Sequence, residues 1–268
     1  MTSQRQNNEL SRFIEDLASN GQYTFSFSQI ANTLKISNAA LRKVLSRGLK
    51  KNLIVSPVKG FYIVVPAEYM SLGCLPAAEF IPHLMSYWKE DYYIGLLSAA
   101  SMHGAAHHAP MTFQVMTSKI HRNIIIGKVS VNFYKSKYVN ILPTVSRNTK
   151  KSIMKVSTPE TTAFDLVANF KGASGFNNMI NLLNELAEIL QPRRLLQVSK
   201  LINETTYIQR LGYILDTLGF SKKSSVLLKE VNRRTNRYVL LVPYVKSKNV
   251  VKNAKWKIIE NEKVDLEI

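Results

Sequence analysis

Cysteine is almost absent from this chain. Cys74 stands alone among 268 residues. No internal disulfide and no cysteine-built zinc site can form, and a reducing cytoplasm is the expected home. No run of eighteen apolar residues occurs, so no membrane span is expected. The opening residues, MTSQRQNNEL, are polar and lack the apolar core of a secretory signal. Acidic side chains are scarce, with 18 Asp and Glu against 36 Lys and Arg. None of these acids has a lysine two positions later, a spacing common in nucleases that hold Mg²⁺ on clustered carboxylates. A phosphate-cradling GxxxxGK[ST] loop and a GxSxG nucleophile elbow are both missing. Together these absences predict a chain with no catalytic set, no cofactor and no metal.

The residues that come nearest to a catalytic or metal set have plainer readings. On a continuous helix, His103 and His107 would share one face, but Gly104 lies between them and Pro110 follows. With His108 they read as capping and packing residues. Glu160 and Asp165 are five apart and read as helix-face residues. Glu260, Glu262, Asp265 and Glu267 read as a solvated acidic tail.

What the chain has in excess is positive charge, a formal +18 with a sequence pI near 9.9. Such a field favours polyanions or acidic proteins. Residues 1–72 hold nine Lys and Arg against four acids, and residues 73–268 hold 27 against 14. Two stretches concentrate the excess. Lys119 to Lys155 has nine basic residues and no acid; Lys222 to Lys257 has eleven against Glu230 alone. Tyr134, Tyr138, Tyr238 and Tyr244 are interleaved. Each stretch is either a solvated face or a surface for nucleic acid or an acidic partner.

The most organised segment runs from Phe27 to Asn52. Ile30, Ala31 and Leu34 recur at helical spacing over Ser28–Leu34. Lys35-Ile36-Ser37 breaks the period, and Ser37 or Asn38 can cap a second helix. There Leu41, Val44, Leu45 and Leu49 form one apolar stripe. Arg42, Lys43, Arg47, Lys50 and Lys51 lie mostly off it, with no acid among them. This is the layout of a helix-turn-helix, although amphipathic helix pairs with a solvated basic face are common. Leu53–Pro57 and Phe61–Pro66 read as two strands around Gly60, a hairpin placed where a wing follows a recognition helix. Lys59 at its tip is placed to reach a phosphate or the minor groove. A helix over 8–20 and a short strand over 23–27 complete a winged helix-turn-helix at 1–72.

The remainder, 73–268, reads as a larger α+β domain. Helices are expected at 76–87, 92–104, 157–167, 176–190, 193–203, 206–218 and 224–232. Strands are expected at 113–117, 124–126, 128–134, 238–245 and 255–259. The 157–167 helix has the clearest start, because Ser157-Thr158-Pro159-Glu160 supplies capping hydroxyls, a proline for the first turn and an acid for the positive pole.

The order of short motifs adds a resemblance. After the winged segment come Tyr93-Ile-Gly-Leu-Leu-Ser-Ala-Ala-Ser-Met-His-Gly, a strand ending Val115-Met-Thr and Val156-Ser-Thr-Pro-Glu-Thr-Thr-Ala-Phe-Asp-Leu-Val. Arg210-Leu-Gly-Tyr-Ile-Leu-Asp-Thr-Leu-Gly and Trp256-Lys-Ile-Ile-Glu-Asn follow. In that order, over nearly the whole chain, they resemble the AbiEi-type antitoxins of bacterial type IV (abortive infection) toxin–antitoxin pairs. The resemblance implies a winged domain that binds inverted repeats in the double-stranded DNA of its own promoter and represses the operon. It implies a C-terminal domain that counteracts a nucleotidyltransferase toxin, with no need of a stable complex. It points to Asn38, Arg42, Lys43 and Arg47 as DNA readers, with Lys59 on the wing. The family's wing is often more basic than this one, and Thr161 stands where an arginine often follows Pro-Glu. Two alternatives remain at this level. One is a nuclease-like enzyme delivered to DNA; the other is a ligand-sensing regulator, which a large apolar pocket would favour.

Overall fold

The computed structural model describes residues 2–105, 110–243, 245 and 251–266. Its backbone groups into two compact units. The first holds residues 1–92, 111–135 and 146–155; the second holds 93–110, 136–145 and 156–268. The first unit therefore extends beyond residue 72. Both units contain helices and strands, so the chain is a mixed α+β protein.

The first unit begins with helix α1 (Thr2–Ser19), strand β1 (Thr24–Ser26), helices α2 (Phe27–Leu34) and α3 (Asn38–Lys50), and strands β2 (Ile54–Val58) and β3 (Phe61–Val64). The strands form an antiparallel sheet of order β1-β3-β2. Helix α2 starts where Ser26 and Gln29 satisfy each other's backbone in a capping box. It stops at Lys35, whose φ of 51° lies in the left-handed region. Ser37 then caps α3 by accepting the Ala40 N–H at 3.3 Å. Leu10, Phe13, Phe25, Ile30, Leu41 and Val44 anchor one core.

The apolar stripe of α3 differs from its expected course at one end. Leu49 is 37% exposed, and Gly48 is buried instead. A Cβ on Gly48 would sit 2.7 Å from Leu10 Cδ2 and 3.1 Å from Ile54 Cδ1. The close approach of α1 and β2 explains the glycine.

Helix α4 (Ala77–Trp88) follows and packs against β1 and β3. The helix expected over 92–104 is broken in two. Tyr92–Ile94 is strand β4, Gly95 is extended, and helix α5 covers only Leu96–Met102. A short apolar run fits strand or helix equally well, and its partner decides. Here Ile94 pairs in parallel with Val156. Strands β5 (Phe113–Thr117), β6 (Ile124–Ile126) and β7 (Val129–Lys135) form in the expected places. β6 and β7 make a hairpin around Gly127, and β5 runs parallel to β7. Gly127 (φ 55°) lies directly on the chain at 72–73. Its Cβ would fall 2.9 Å from Gly73 Cα and closer still to the Leu72 carbonyl, which accepts the Lys128 N–H at 2.8 Å.

Strands β8 (Thr144–Asn148) and β9 (Ile153–Ser157) had no counterpart in the sequence reading. In the first unit their connecting turn is clamped by Glu79. Its carboxylate accepts from Thr149 Oγ1 at 2.6 Å, Lys151 N at 2.9 Å and Lys150 N at 3.2 Å.

The second unit is organised around α6 (Pro159–Ala168), with α7 (Phe176–Ile189), α8 (Pro192–Leu201) and α9 (Thr205–Thr217) packed on it. Thr158 caps α6 by accepting the Thr161 N–H, with Pro159 in the first turn. Helix α10 (Ser221–Arg234) packs on α8 and α9. The small sheet of β10 (Val239–Leu240), β11 (Val251–Asn253) and β12 (Ile258–Glu260) has the order β10-β12-β11. The strand expected over 238–245 is thus reduced to two residues, while Tyr244 and residues 246–250 lie outside those described. The strand expected at 255–259 starts later. Asn253 Oδ1 accepts the Trp256 N–H to fold a turn there, and Lys257 has a φ of 55°.

Candidate nucleic-acid interface

Helix α3 presents Asn38, Arg42, Lys43 and Lys50 as exposed side chains, and its cap Lys51 is exposed too. Its N-terminus is set by Ser37 and its inner face by Leu41, Val44 and Leu45. The outer face has no acid. Arg42 lies within Coulombic reach of the Tyr62 phenol on β3. Burial and neighbouring Tyr87 raise that phenol's pKa, and the Arg42 charge opposes them. Arg47 differs from the rest. It is half-buried, and its Nη1 is enclosed without a hydrogen-bond partner. Helical spacing put it off the apolar stripe; the position next to Gly48 draws it inward.

Lys59 occupies the β2–β3 turn with its side chain exposed. The backbone of that turn is held. Tyr87 on α4 donates its hydroxyl to the Lys59 carbonyl at 3.2 Å, and its ring lies 5.4 Å from that of Phe61. A Cβ on Gly60 would meet the Tyr87 oxygen at 2.7 Å. No local pattern signals this contact, because its partners are 28 positions apart in the chain.

The charge is unevenly spread. The first unit has eighteen Lys and Arg against seven acids, a net +11 of the chain's +18. Two of those acids are occupied internally. Glu79 holds the 149–151 turn, and Glu90 accepts from Ser118, Lys119 N–H and His121. Burial raises the Glu90 pKa, but these hydrogen bonds outweigh it and hold the carboxyl below its usual range. The basic field of this unit is therefore little offset at its surface.

A cleft of about 280 Å³ in the same unit is lined by Gln22, Thr24, Ser26, Gln29, His83 and Ser86, beside Phe61 and Tyr87. It is small and, with Phe25 also in its wall, about as apolar as polar, whereas a ligand-sensing regulator would favour a large apolar pocket.

Glu160 and Asp165 depart from their expected place on a helix face, for both are buried in α6. Glu160 accepts the Gln191 N–H at 3.0 Å through Oε1, and its Oε2 has no partner. Asp165 accepts the Tyr93 hydroxyl at 3.0 Å through Oδ1, and its Oδ2 has none. Burial pushes the Asp165 carboxyl up to about 8, so it is protonated at neutral pH. His103 Nε2 lies 2.7 Å from the Ser157 carbonyl, as a packing histidine would. His107 and His108 lie outside the described residues. Among the described residues no group of three His, Cys, Asp or Glu side chains is placed to hold a metal, and no helix is long and apolar enough to cross a membrane.

Residues 93–217 match the family model of the AbiEi antitoxin C-terminal domain. No curated protein matches the chain. Among solved structures, the crystal structure of the RV2827C protein from Mycobacterium tuberculosis is similar, with a TM-score of 0.61 and 14% identity. The alignment covers 94% of this chain and 91% of that one. At that identity the likeness is one of fold.

Proposed function

We propose that this chain, whose residues 93–217 match the AbiEi antitoxin C-terminal domain, is the antitoxin of a type IV toxin–antitoxin pair. In this reading it represses its own operon through residues 1–72 and counteracts a nucleotidyltransferase toxin through residues 73–268. It acts in the cytoplasm, without catalysis, cofactor or metal, and without a stable grip on the toxin.

The reading of residues 1–72 as a winged helix-turn-helix rests on the order α1-β1-α2-α3-β2-β3 with β3 central in its sheet. α3 is then the recognition helix, and its N-terminal residues meet base edges in the major groove. Asn38 and Arg42 are assigned to bases; Lys43, Lys50, Lys51 and the wing residue Lys59 are assigned to phosphates. Arg47 contributes what its half-buried guanidinium leaves accessible. One copy covers a half-site, so two copies meet an inverted repeat. The single observation that carries the proposal is the exposed, acid-free face of α3 in a unit of net +11.

The test is a promoter gel shift with Arg42→Ala combined with Lys43→Ala. Losing the Arg42 base contact and the Lys43 phosphate contact weakens binding at least tenfold and flattens the log–log salt slope by roughly 1, at about 0.9 per phosphate. The operon is derepressed, and toxin neutralisation survives. Unchanged promoter binding refutes the assignment of α3. Glu160 and Asp165 lend no support to the nuclease alternative, since both are buried on α6.

A further inference from the structure

The basic stretch from Lys222 onward is not used by the proposed DNA contact, and it lies in the second unit. Its one acid, Glu230, is 6% exposed and accepts from Arg233 Nη2 at 2.7 Å and Arg234 Nε at 3.0 Å. Arg234 also donates to the Ile202 and Ser199 carbonyls. Lys223 donates to the Ala187 and Glu188 carbonyls. These contacts fix the geometry of two helices. Lys223 ties the start of α10 to the end of α7, which leads directly into α8, and Arg234 ties the end of α10 to the end of α8. The two helices therefore run side by side in the same direction.

Both turn cations outward. Arg193, Arg194 and Lys200 are exposed on α8, and Lys222, Lys229 and Arg233 on α10. Among the described residues only Arg233 of these six has an ion-pair partner. Helix α8 has no acid, and the exposed acids of α7 to α10 are Glu185 and Glu188, both on α7. The α10 row spans about 16 Å at 1.5 Å per residue. Helix α8 packs on α10, and the axes of packed helices usually lie about 8–10 Å apart. Two rows of exposed cations, five of the six without an ion-pair partner among the described residues, suit a polyphosphate backbone.

Exposed Gln197, Ser225 and Asn232 are interleaved with these cations. Lysine and arginine only donate hydrogen bonds, whereas amides and hydroxyls also accept. An acceptor beside each phosphate-binding cation suits the ribose 2′-hydroxyl, the group that separates RNA from DNA. We propose that the α8–α10 face is an RNA-binding surface that recognises the sugar–phosphate backbone of a structured RNA. It is an activity separate from promoter binding and does not depend on it.

The test uses the full chain with an RNA hairpin and the DNA hairpin of the same sequence, titrated by fluorescence anisotropy across a salt series. Wild type binds the RNA at least tenfold more tightly than the DNA. A variant with Arg194→Gln, Lys200→Gln, Lys222→Gln and Lys229→Gln loses that binding, and its salt slope flattens by roughly 3–4 at about 0.9 per phosphate. Its promoter DNA shift persists. The Arg42→Ala, Lys43→Ala protein shows the reverse pattern, so failure of the DNA proposal and failure of this one are distinguishable. Equal affinity for the two hairpins overturns the assignment to RNA. RNA binding that survives the four substitutions overturns the assignment to this face. Binding of the co-expressed toxin through this face, with no RNA bound, overturns both.

Discussion

Replacing Gly212 with alanine isolates one packing contact in the second unit. Gly212 lies on α9 against Trp256, which is 0% exposed. An added Cβ would fall 2.6 Å from Trp256 Cε3, and closer to Cζ3 and Cη2. Comfortable carbon–carbon contact needs about 3.5–4.0 Å, so the indole must move by roughly 1 Å or more. It is poorly free to do so. Its Nε1–H donates to Asp216 at 2.9 Å, its backbone N–H to Asn253 at 3.0 Å, and its carbonyl accepts from Gln209. Asp216 is itself fixed by Lys255 and Ser221. Overpacking costs about 1–3 kcal/mol, and losing a hydrogen bond to a carboxylate costs about 1.5–3 kcal/mol. Against these, alanine gains about 1 kcal/mol of helix propensity over glycine. The net expectation is a loss of about 2–4 kcal/mol, a large share of a typical 5–15 kcal/mol stability. Urea unfolding followed by tryptophan fluorescence measures it. The chain has two tryptophans, so a Trp88→Phe background leaves Trp256 as the reporter. Trp256→Leu removes the obstacle, and Gly212→Ala added to it is then neutral or stabilising, as followed by circular dichroism because the Trp256 reporter is gone. If Gly212→Ala is as stable as the parent with Trp256 in place, the close-packing argument fails.

Two further outcomes follow from buried acids. The folded-state pKa of Asp165, about 8, lies above the ordinary carboxyl value, so the native state holds a proton that the unfolded chain releases near pH 4. Its contribution to stability is fully present below pH 4 and declines as pH rises towards 8. Asp165→Asn flattens that decline, which denaturation midpoints at pH 5 and pH 8 would register; an unaltered pH dependence contradicts the burial argument. Glu79→Ala leaves the Thr149, Lys150 and Lys151 donors without their acceptor, at a cost of about 1–3 kcal/mol. Limited proteolysis then cuts at Lys150 or Lys151 faster than in the parent, and equal cutting rates would show that the carboxylate does not restrain the turn.

Sequence reasoning succeeded where structure is decided locally. The 27–52 helix pair follows from apolar spacing and the Ser37 cap. The α6 start follows from Thr158-Pro159-Glu160. It failed where a distant partner decides. Tyr92–Ile94 is a strand because Val156 lies beside it, and β8 and β9 have no strong periodicity of their own. Leu49 and Gly48 exchange roles because α1 and β2 press close, a distance that no spacing rule contains. For the candidate interface, helical phase accounts for the exposure of Arg42, Lys43 and Lys50, and the turn at Gly60 for that of Lys59. The half-burial of Arg47 and the hold of Tyr87 on the β2–β3 turn come from tertiary packing. The burial of Glu160 and Asp165 was likewise hidden, since a short helix with apolar residues on several sides shows no clear polar face.

The seating of Gly127 on Leu72 has a consequence for chimeras. A graft of residues 1–72 onto a foreign body would leave behind the Lys128 N–H that meets the Leu72 carbonyl, the Tyr87 hydroxyl at the β2–β3 turn and the 149–151 loop. Its severed underside would be wet where it is now packed. Moving this unit intact between relatives therefore calls for a discontinuous transplant, with 1–92 travelling together with 111–135 and 146–155.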